Sequence, residues 1–177
     1  MSFVIQAGVP GTLDKVDHED RGVEEAMETI FALDSERMIL FWFGVPIALG
    51  YKYDVSAMIP DLLLLIEDMD SRREGRYEIA WTTNAMQSVW RFEWAGGKCV
   101  IDPAWKHVGL GLESILRETG KVVCSSREFV AEWVRPLRIT RDALRDSDLY
   151  SKMPDFGRIE RVLGSYKDEG VLYRDQV

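Results

Sequence analysis

The sequence predicts an α+β fold: a single domain with an antiparallel sheet of about five or six strands and helices packed on it. Three observations lead there. Residues 76–102 alternate at period two, with Tyr77, Ile79, Trp81 and then Trp90, Phe92, Trp94 falling on one face. Elsewhere apolar residues recur at helical spacing, as in Val23, Met27, Ile30 and Phe31, or Ile59, Leu62, Leu63, Ile66 and Met69. The strand-like runs also come as neighbours joined by tight turns. A doubly wound parallel sheet would need regular strand–helix alternation instead.

Taken in order, residues 2–7 form a first apolar run, ended by Gly8, Pro10 and Gly11. Residues 12–20 are polar and acidic and read as an exposed loop. A helix follows, with Asp20 as its N-cap and Glu24 and Glu25 in its first turn, where the helix dipole favours acids. Residues 38–43 are apolar throughout, as in a strand covered on both faces. After the Gly44-Val45-Pro46 break, residues 47–53 alternate and return as a second strand. Asp54 or Ser56 opens the next helix, with Pro60 tolerated near its start. Gly96-Gly97 suits a two-residue hairpin turn. Pro103 is expected to end the strand that follows.

Downstream, residues 112–119 suggest a short helix closed by Gly120, and residues 122–124 a brief extended piece. Ser125, three residues before Glu128, matches a capping box. It opens a helix presenting Phe129, Trp133 and Leu137, which Pro136 is expected to kink or end. Pro154 begins a last helix, and residues 171–177 read as a tail able to add an edge strand.

The bulk numbers narrow the function. A chain of 177 residues, 46% apolar and 29% charged, suits one folded domain. The net charge of -8 argues against direct binding to nucleic acid or to an anionic membrane, and permits a basic partner. Residues 14–36 hold nine acids against Lys15 and Arg21, a balance of -7, so this segment carries nearly all of the imbalance. The longest apolar run is broken by Gly44, Pro46 and Gly50, and the N-terminus lacks a leader pattern. The expected location is therefore cytoplasmic, with no membrane span.

Catalytic and cofactor motifs are missing. There is no Walker lysine, no Gly-x-Ser-x-Gly and no His-Glu-x-x-His, and Gly109-Leu110-Gly111 lacks the third glycine of a dinucleotide loop. His18 lies among Asp17, Glu19 and Asp20, but bunched loop acids read as a solvated surface rather than a metal site. Cys99 and Cys124 do not have metal-site spacing and read as two reduced thiols in apolar surroundings. Ser125 and Ser126 are accounted for as helix caps. No cofactor, metal or catalytic residue is expected.

Two readings of function remain. In the first, Asp14, Asp17, Glu19, Asp20, Glu24, Glu25 and Glu28 form a negative surface that steers and docks a basic protein. Trp105, set in a loop after Pro103, either anchors that interface or covers the sheet edge. A nuclease has a basic cleft for phosphates, which an acidic protein can occupy as a mimic. In the second, the aromatic wall lines a small-molecule pocket, with Tyr51, Tyr53, Arg91 and Trp105 as its first suspects.

The segments Ile47-x-Leu49-x-Tyr51-x-Tyr53-Asp54 and Trp90-x-Phe92-x-Trp94-x-Gly96-Gly97, with Ile101 and Trp105, lead into Ser126-Arg127-Glu128-Phe129-Val130-Ala131-Glu132-Trp133. This layout resembles the immunity proteins of bacterial polymorphic-toxin and contact-dependent inhibition systems. The resemblance spans roughly residues 47–144. It implies a cytoplasmic toxin inhibitor that binds one cognate toxin tightly and performs no turnover. It carries over no residue-level site.

Overall fold

The apolar alternation of the first fifty residues folds into a sheet of its own. The computed structural model describes residues 2–166. Strands β1 (Phe3–Ala7), β2 (Arg37–Trp42) and β3 (Val45–Gly50) form an antiparallel sheet in the order β1-β2-β3. Phe3 stands opposite Trp42, and Leu40 lies between Ile5 and Ile47, so one face is continuously apolar. Phe43 and Gly44, at φ 49° and 84°, supply the two positive-φ positions that a two-residue hairpin turn requires. Helix α1 (Val23–Ile30) fills the β1–β2 connection and buries Val23, Ala26, Met27 and Ile30.

The returning strand ends at Gly50, short of the expected Tyr53. Residues Tyr51–Val55 wind into a π-helical turn that runs directly into α2 (Ser56–Ser71). Asp54, buried at 8% exposure, fixes that turn. Its Oδ2 accepts the Gly50 N–H at 2.8 Å, and its Oδ1 accepts the Ala85 N–H at 3.1 Å from the next hairpin. Two backbone donors and one carboxylate thus join the halves of the chain.

The second half forms a separate four-stranded antiparallel sheet in the order β4-β5-β6-β7, made of β4 (Glu74–Thr82), β5 (Met86–Ala95), β6 (Lys98–Val108) and β7 (Val122–Ser125). The expected single sheet of five or six strands is corrected to two sheets of three and four strands. The π-turn and the buried α2 carry the chain away from the first sheet, so β3 and β4 never pair. Around the sheets lie α3 (Glu113–Arg117), α4 (Ser126–Arg145) and α5 (Pro154–Ser165). The tail at 171–177 falls outside the described residues.

Both prolines expected to act as breakers are absorbed. Pro103 lies inside β6, opposite Trp90. The Ser126 N–H bonds the Gly97 carbonyl, so odd-numbered residues of β6 direct their backbone groups toward β7. Pairing with β7 stops at Ile101–Val122, and the N–H that Pro103 lacks therefore costs no ladder bond. Pro136 sits within α4, which continues to Arg145. Burial of Trp133, Val134, Leu137 and Thr140 on either side of it holds the helix through the missing bond. The capping box is as expected: the Glu128 N–H donates to Ser125 Oγ at 3.1 Å, and the Ser125 N–H donates to Glu128 Oε2 at 2.7 Å.

One buried cluster spans both sheets. Trp42 of the first sheet lies 5.2 Å from Trp90 and 5.4 Å from Trp105 of the second, between ring centroids. Phe3 stacks on Phe129 of α4 at 5.6 Å, and Phe129 meets Phe92 at 5.4 Å. Ser88 is opposite both Trp81 and Trp105, and its small side chain leaves room for two indoles on adjacent strands. The free edge of β1 is sealed by α4, where Glu132 Oε2 accepts the Ile5 N–H at 2.7 Å. Burial holds the Glu132 carboxyl above the usual carboxylate range, although that hydrogen bond pulls it back.

Gly75 marks a close approach. It faces Trp94 across β4–β5, and the indole occupies the space a Cβ would need. The Trp94 Nε1 donates to the Arg72 carbonyl at 3.2 Å, which keeps the ring in place. Gly75→Ala is expected to lower unfolding free energy by about 1–3 kcal/mol through overpacking, as measured by urea denaturation. A change within error would show that the ring is free to move aside.

Candidate functional site

The acidic segment is built on α1 and the loop before it. The helix buries one face and leaves Glu24 and Glu25 exposed, with Glu28 half-buried. Its N-cap is Gly22 and not the expected Asp20, because the Asp20 carboxylate is engaged elsewhere. The fully buried Tyr150, in the short 3-10 turn before α5, donates its hydroxyl to Asp20 Oδ2 at 2.6 Å. The Tyr150 hydroxyl oxygen in turn accepts the Asp17 N–H at 2.9 Å. The Glu19 N–H then donates to Asp17 Oδ1 at 2.9 Å, and the Arg21 N–H to Glu25 Oε2 at 2.6 Å. One tyrosine and a chain of local bonds thus hold loop and helix in a fixed relation.

At the far end of α1, Lys52 Nζ donates to the carbonyl of Glu28 and, at 3.3 Å, to that of Phe31. A cation there complements the negative end of the helix dipole. Lys52 also lies 5.5 Å from the ring centre of Tyr53, which is 46% exposed. Between these ends opens a shallow groove of about 480 Å³ lined by Asp17, Glu19, Asp20, Glu25 and Glu28, with Arg21, Thr29, Lys52 and Tyr53. Five carboxylates face two cations.

Ion pairs are concentrated away from the acidic segment. Glu67 is bound by Arg158 and Arg161 at 3.3 and 2.7 Å, Glu78 by Arg91 at 2.9 Å, Glu93 by Arg76 at 2.9 Å and Asp102 by Lys121 at 2.8 Å. Among the described residues, none of the nine acids at 14–36 is in an ion pair. Partial burial, followed by repulsion from Glu28, Glu25 and Asp61, pushes the Glu24 carboxyl above its ordinary value. Burial likewise raises Glu28; Lys52 opposes the shift, while Glu25 and Asp20 add to it. Both groups are repelled by neighbouring acids, and Lys52 offsets this only at Glu28.

The structure brings together Asp17, Glu19, Asp20, Glu25 and Glu28, with Glu24 on the flank of α1 toward Asp61. Asp14 lies apart, on a neighbouring groove of about 630 Å³ that also holds Val9, Leu13, Val16, Ile139 and Asp146. Trp105 is a correction: it belongs to β6, is 5% exposed, and packs against Trp42 and Trp90, so it offers no exposed anchor. The four small-molecule suspects do not converge. Tyr51 and Trp105 are buried in the core, Tyr53 lies on the acidic groove, and Arg91 is exposed and ion-paired on the outer face of the second sheet. His18 is exposed, and no cluster of three or more His, Cys, Asp or Glu suited to a metal occurs among the described residues.

Sequence reading missed Tyr150, Lys52 and Asp61 at this surface. Lys52 falls in a run that reads as a strand, and nothing local to Tyr150 announces a partner more than 130 residues away. Comparison with known protein families, with curated proteins and with solved structures finds no match to this chain. No helix among the described residues is long and apolar enough to cross a membrane.

Removing the Tyr150 hydroxyl leaves a buried ring but frees Asp17 and Asp20. Tyr150→Phe is expected to cost about 1 kcal/mol and to speed hydrogen exchange of the Asp17 amide, while amides of the second sheet keep their protection. Glu24→Gln tests the repulsion. A carboxyl whose folded pKa is raised above 4.5 stabilises the fold fully only below that pH, and loses the contribution as pH climbs through the folded value. The variant should therefore be more stable than the parent at pH 7, by about 0.5 kcal/mol or less given the exposure. The gap should close when melting is repeated near pH 4.

Proposed function

We propose that this chain is a non-catalytic binding protein that captures a basic protein on the surface formed by α1 and its preceding loop, and by doing so neutralises it. The observation that carries this reading is the uncompensated charge. Carboxylates such as Glu67, Glu78, Glu93 and Asp102 are matched with arginines or lysines, whereas no described ion pair involves the nine acids at 14–36, and Glu24 and Glu28 are repelled by neighbouring acids. Charge that costs the fold stability is better explained by an external partner, since complementary charge accelerates encounter and excludes wrong partners.

The partner class follows from the chemistry of the groove and from the resemblance to immunity proteins. A nuclease domain lines its cleft with Lys and Arg to hold phosphates. The carboxylates of Asp17, Glu19, Asp20, Glu25 and Glu28, spaced along a tethered loop and one helix face, present anionic oxygens to such a cleft without a scissile bond. The exposed ring of Tyr53 beside them adds an aromatic contact of the kind found at interface hot spots. On this reading the protein is a cytoplasmic inhibitor of a cognate bacterial toxin. It acts by occupying the toxin's active-site cleft, and it needs no cofactor.

The test is binding to the basic toxin domain encoded next to this gene, by titration calorimetry and stopped-flow association. The triple variant Glu24→Lys, Glu25→Lys, Glu28→Lys should weaken affinity by about 100-fold or more, chiefly by slowing association, and should flatten the salt dependence of the rate. It should also fail to protect cells expressing the toxin. Unchanged affinity in the triple variant would overturn the proposed surface. Absence of binding by the parent would overturn the function.

A further inference from the structure

We propose that Cys99 and Cys124 form a reversible intramolecular disulfide when the protein meets a peroxide. The two cysteines are the only ones in the chain, and they stand directly opposite each other on β6 and β7. Both side chains project from the same, inner face of the sheet. Cys99 is fully buried, whereas Cys124, on the outermost strand, is half-buried and reachable from solvent.

The backbone geometry suits the bond. The Ser126 N–H to Gly97 carbonyl bond of 2.9 Å fixes the alternation of the ladder and makes Cys99–Cys124 a hydrogen-bonded pair. Such pairs have Cα atoms about 5.5 Å apart, inside the range that disulfides span. The Cβ atoms of such pairs stand about 5.5 Å apart, beyond the roughly 3.5–4.5 Å of a disulfide, so closure asks for a local change in strand twist. A disulfide closed against such resistance is readily reduced again, which makes it a switch and not a staple.

The two sulfurs have different roles. Cys124 lies just before α4, and its interactions with Cys99 and with the Phe129 backbone favour the thiolate. Glu128 and Glu132 face it and oppose this, as does burial. The interaction with Cys124, followed by burial, pushes the Cys99 thiol upward. Cys124, the thiol that a peroxide can reach, is therefore the nucleophile, and the buried Cys99 is the resolving thiol.

In the first step the Cys124 thiolate attacks one peroxide oxygen, the O–O bond breaks, and hydroxide leaves to give a sulfenic acid. In the second, the Cys99 sulfur gives up its proton and displaces hydroxide from the Cys124 sulfur. Overall, two thiols and one hydrogen peroxide give one disulfide and two waters.

The full-length reduced protein treated with hydrogen peroxide should lose two hydrogens by intact mass. It should remain monomeric on a non-reducing gel, yield a Cys99–Cys124 cross-linked peptide, and recover both thiols with dithiothreitol. Cys99→Ser should instead accumulate a dimedone-reactive sulfenic acid at Cys124, whereas Cys124→Ser should leave Cys99 unmodified in the folded protein. Persistence of both thiols, direct progress of Cys124 to sulfinic acid with Cys99 free, or an intermolecular dimer would each overturn the proposal. The wild-type mass and peptide map decide the question even if a serine variant fails to fold.

Discussion

The structure depends on a joint made of aromatic rings. The two sheets share no ladder among the described residues, so backbone hydrogen bonding does not hold them together. Trp42, from the first sheet, is wedged against Trp90 and Trp105 of the second, and Phe3, Phe92 and Phe129 extend the contact to α4. Most of these contacts are edge-on: Trp81–Trp90 at 89°, Trp90–Trp105 at 80° and Trp42–Trp105 at 77°. That arrangement sets the positive rim of one ring against the negative face of the next. It also bears on the indole N–H groups of Trp81, Trp90 and Trp105, which lack a conventional acceptor among the described residues. An edge-on neighbour is the setting in which an N–H can address a π face. Trp42 differs, donating to Thr119 Oγ1 at 3.0 Å, so the central ring is fixed by direction as well as by volume.

This joint shapes what is left for function. Indoles committed to each other cannot also line a binding cavity, and the polar chemistry of the molecule is pushed to its exterior. There the charges divide into two kinds. The outer face of the second sheet carries a cross-strand pattern in which Arg76, Glu78, Arg91 and Glu93 cancel locally. The α1 surface has no such cancellation. A self-neutralised face is suited to facing solvent, and an uncancelled one to facing a complementary partner.

Much of the fold was readable in the sequence because its signals are local. The hairpin turn at Gly96-Gly97, the capping box at Ser125 and Glu128, and Pro154 at the start of α5 each act within a few residues, whereas the break expected at Gly44-Val45-Pro46 falls at Phe43-Gly44, with Val45 and Pro46 already in β3. What sequence missed was decided at long range. Pro103 and Pro136 read as breakers because their local preference is to break, and only the end of β7 and the packing around α4 make them harmless. The division into two sheets hinges on the π-turn at Tyr51–Val55, whose alternation looks like a strand until Asp54 is seen bonded to Gly50 and Ala85. The acidic surface was legible as composition. Its organisation was not, since Tyr150 is remote in sequence from the loop it holds. Trp105 was misassigned as a loop residue for the same reason as Pro103, two positions earlier.

The seal on β1 has a consequence for how the chain is made. The first strand is secured on its open side by Glu132 and stacked upon by Phe129, and the loop that follows waits for Tyr150. Translation delivers these partners more than 120 residues after the strand and the loop they secure. A nascent chain on the ribosome therefore carries an unfinished N-terminal sheet until α4 has emerged, and the loop carrying Asp17 and Asp20 gains its tether only once Tyr150 follows.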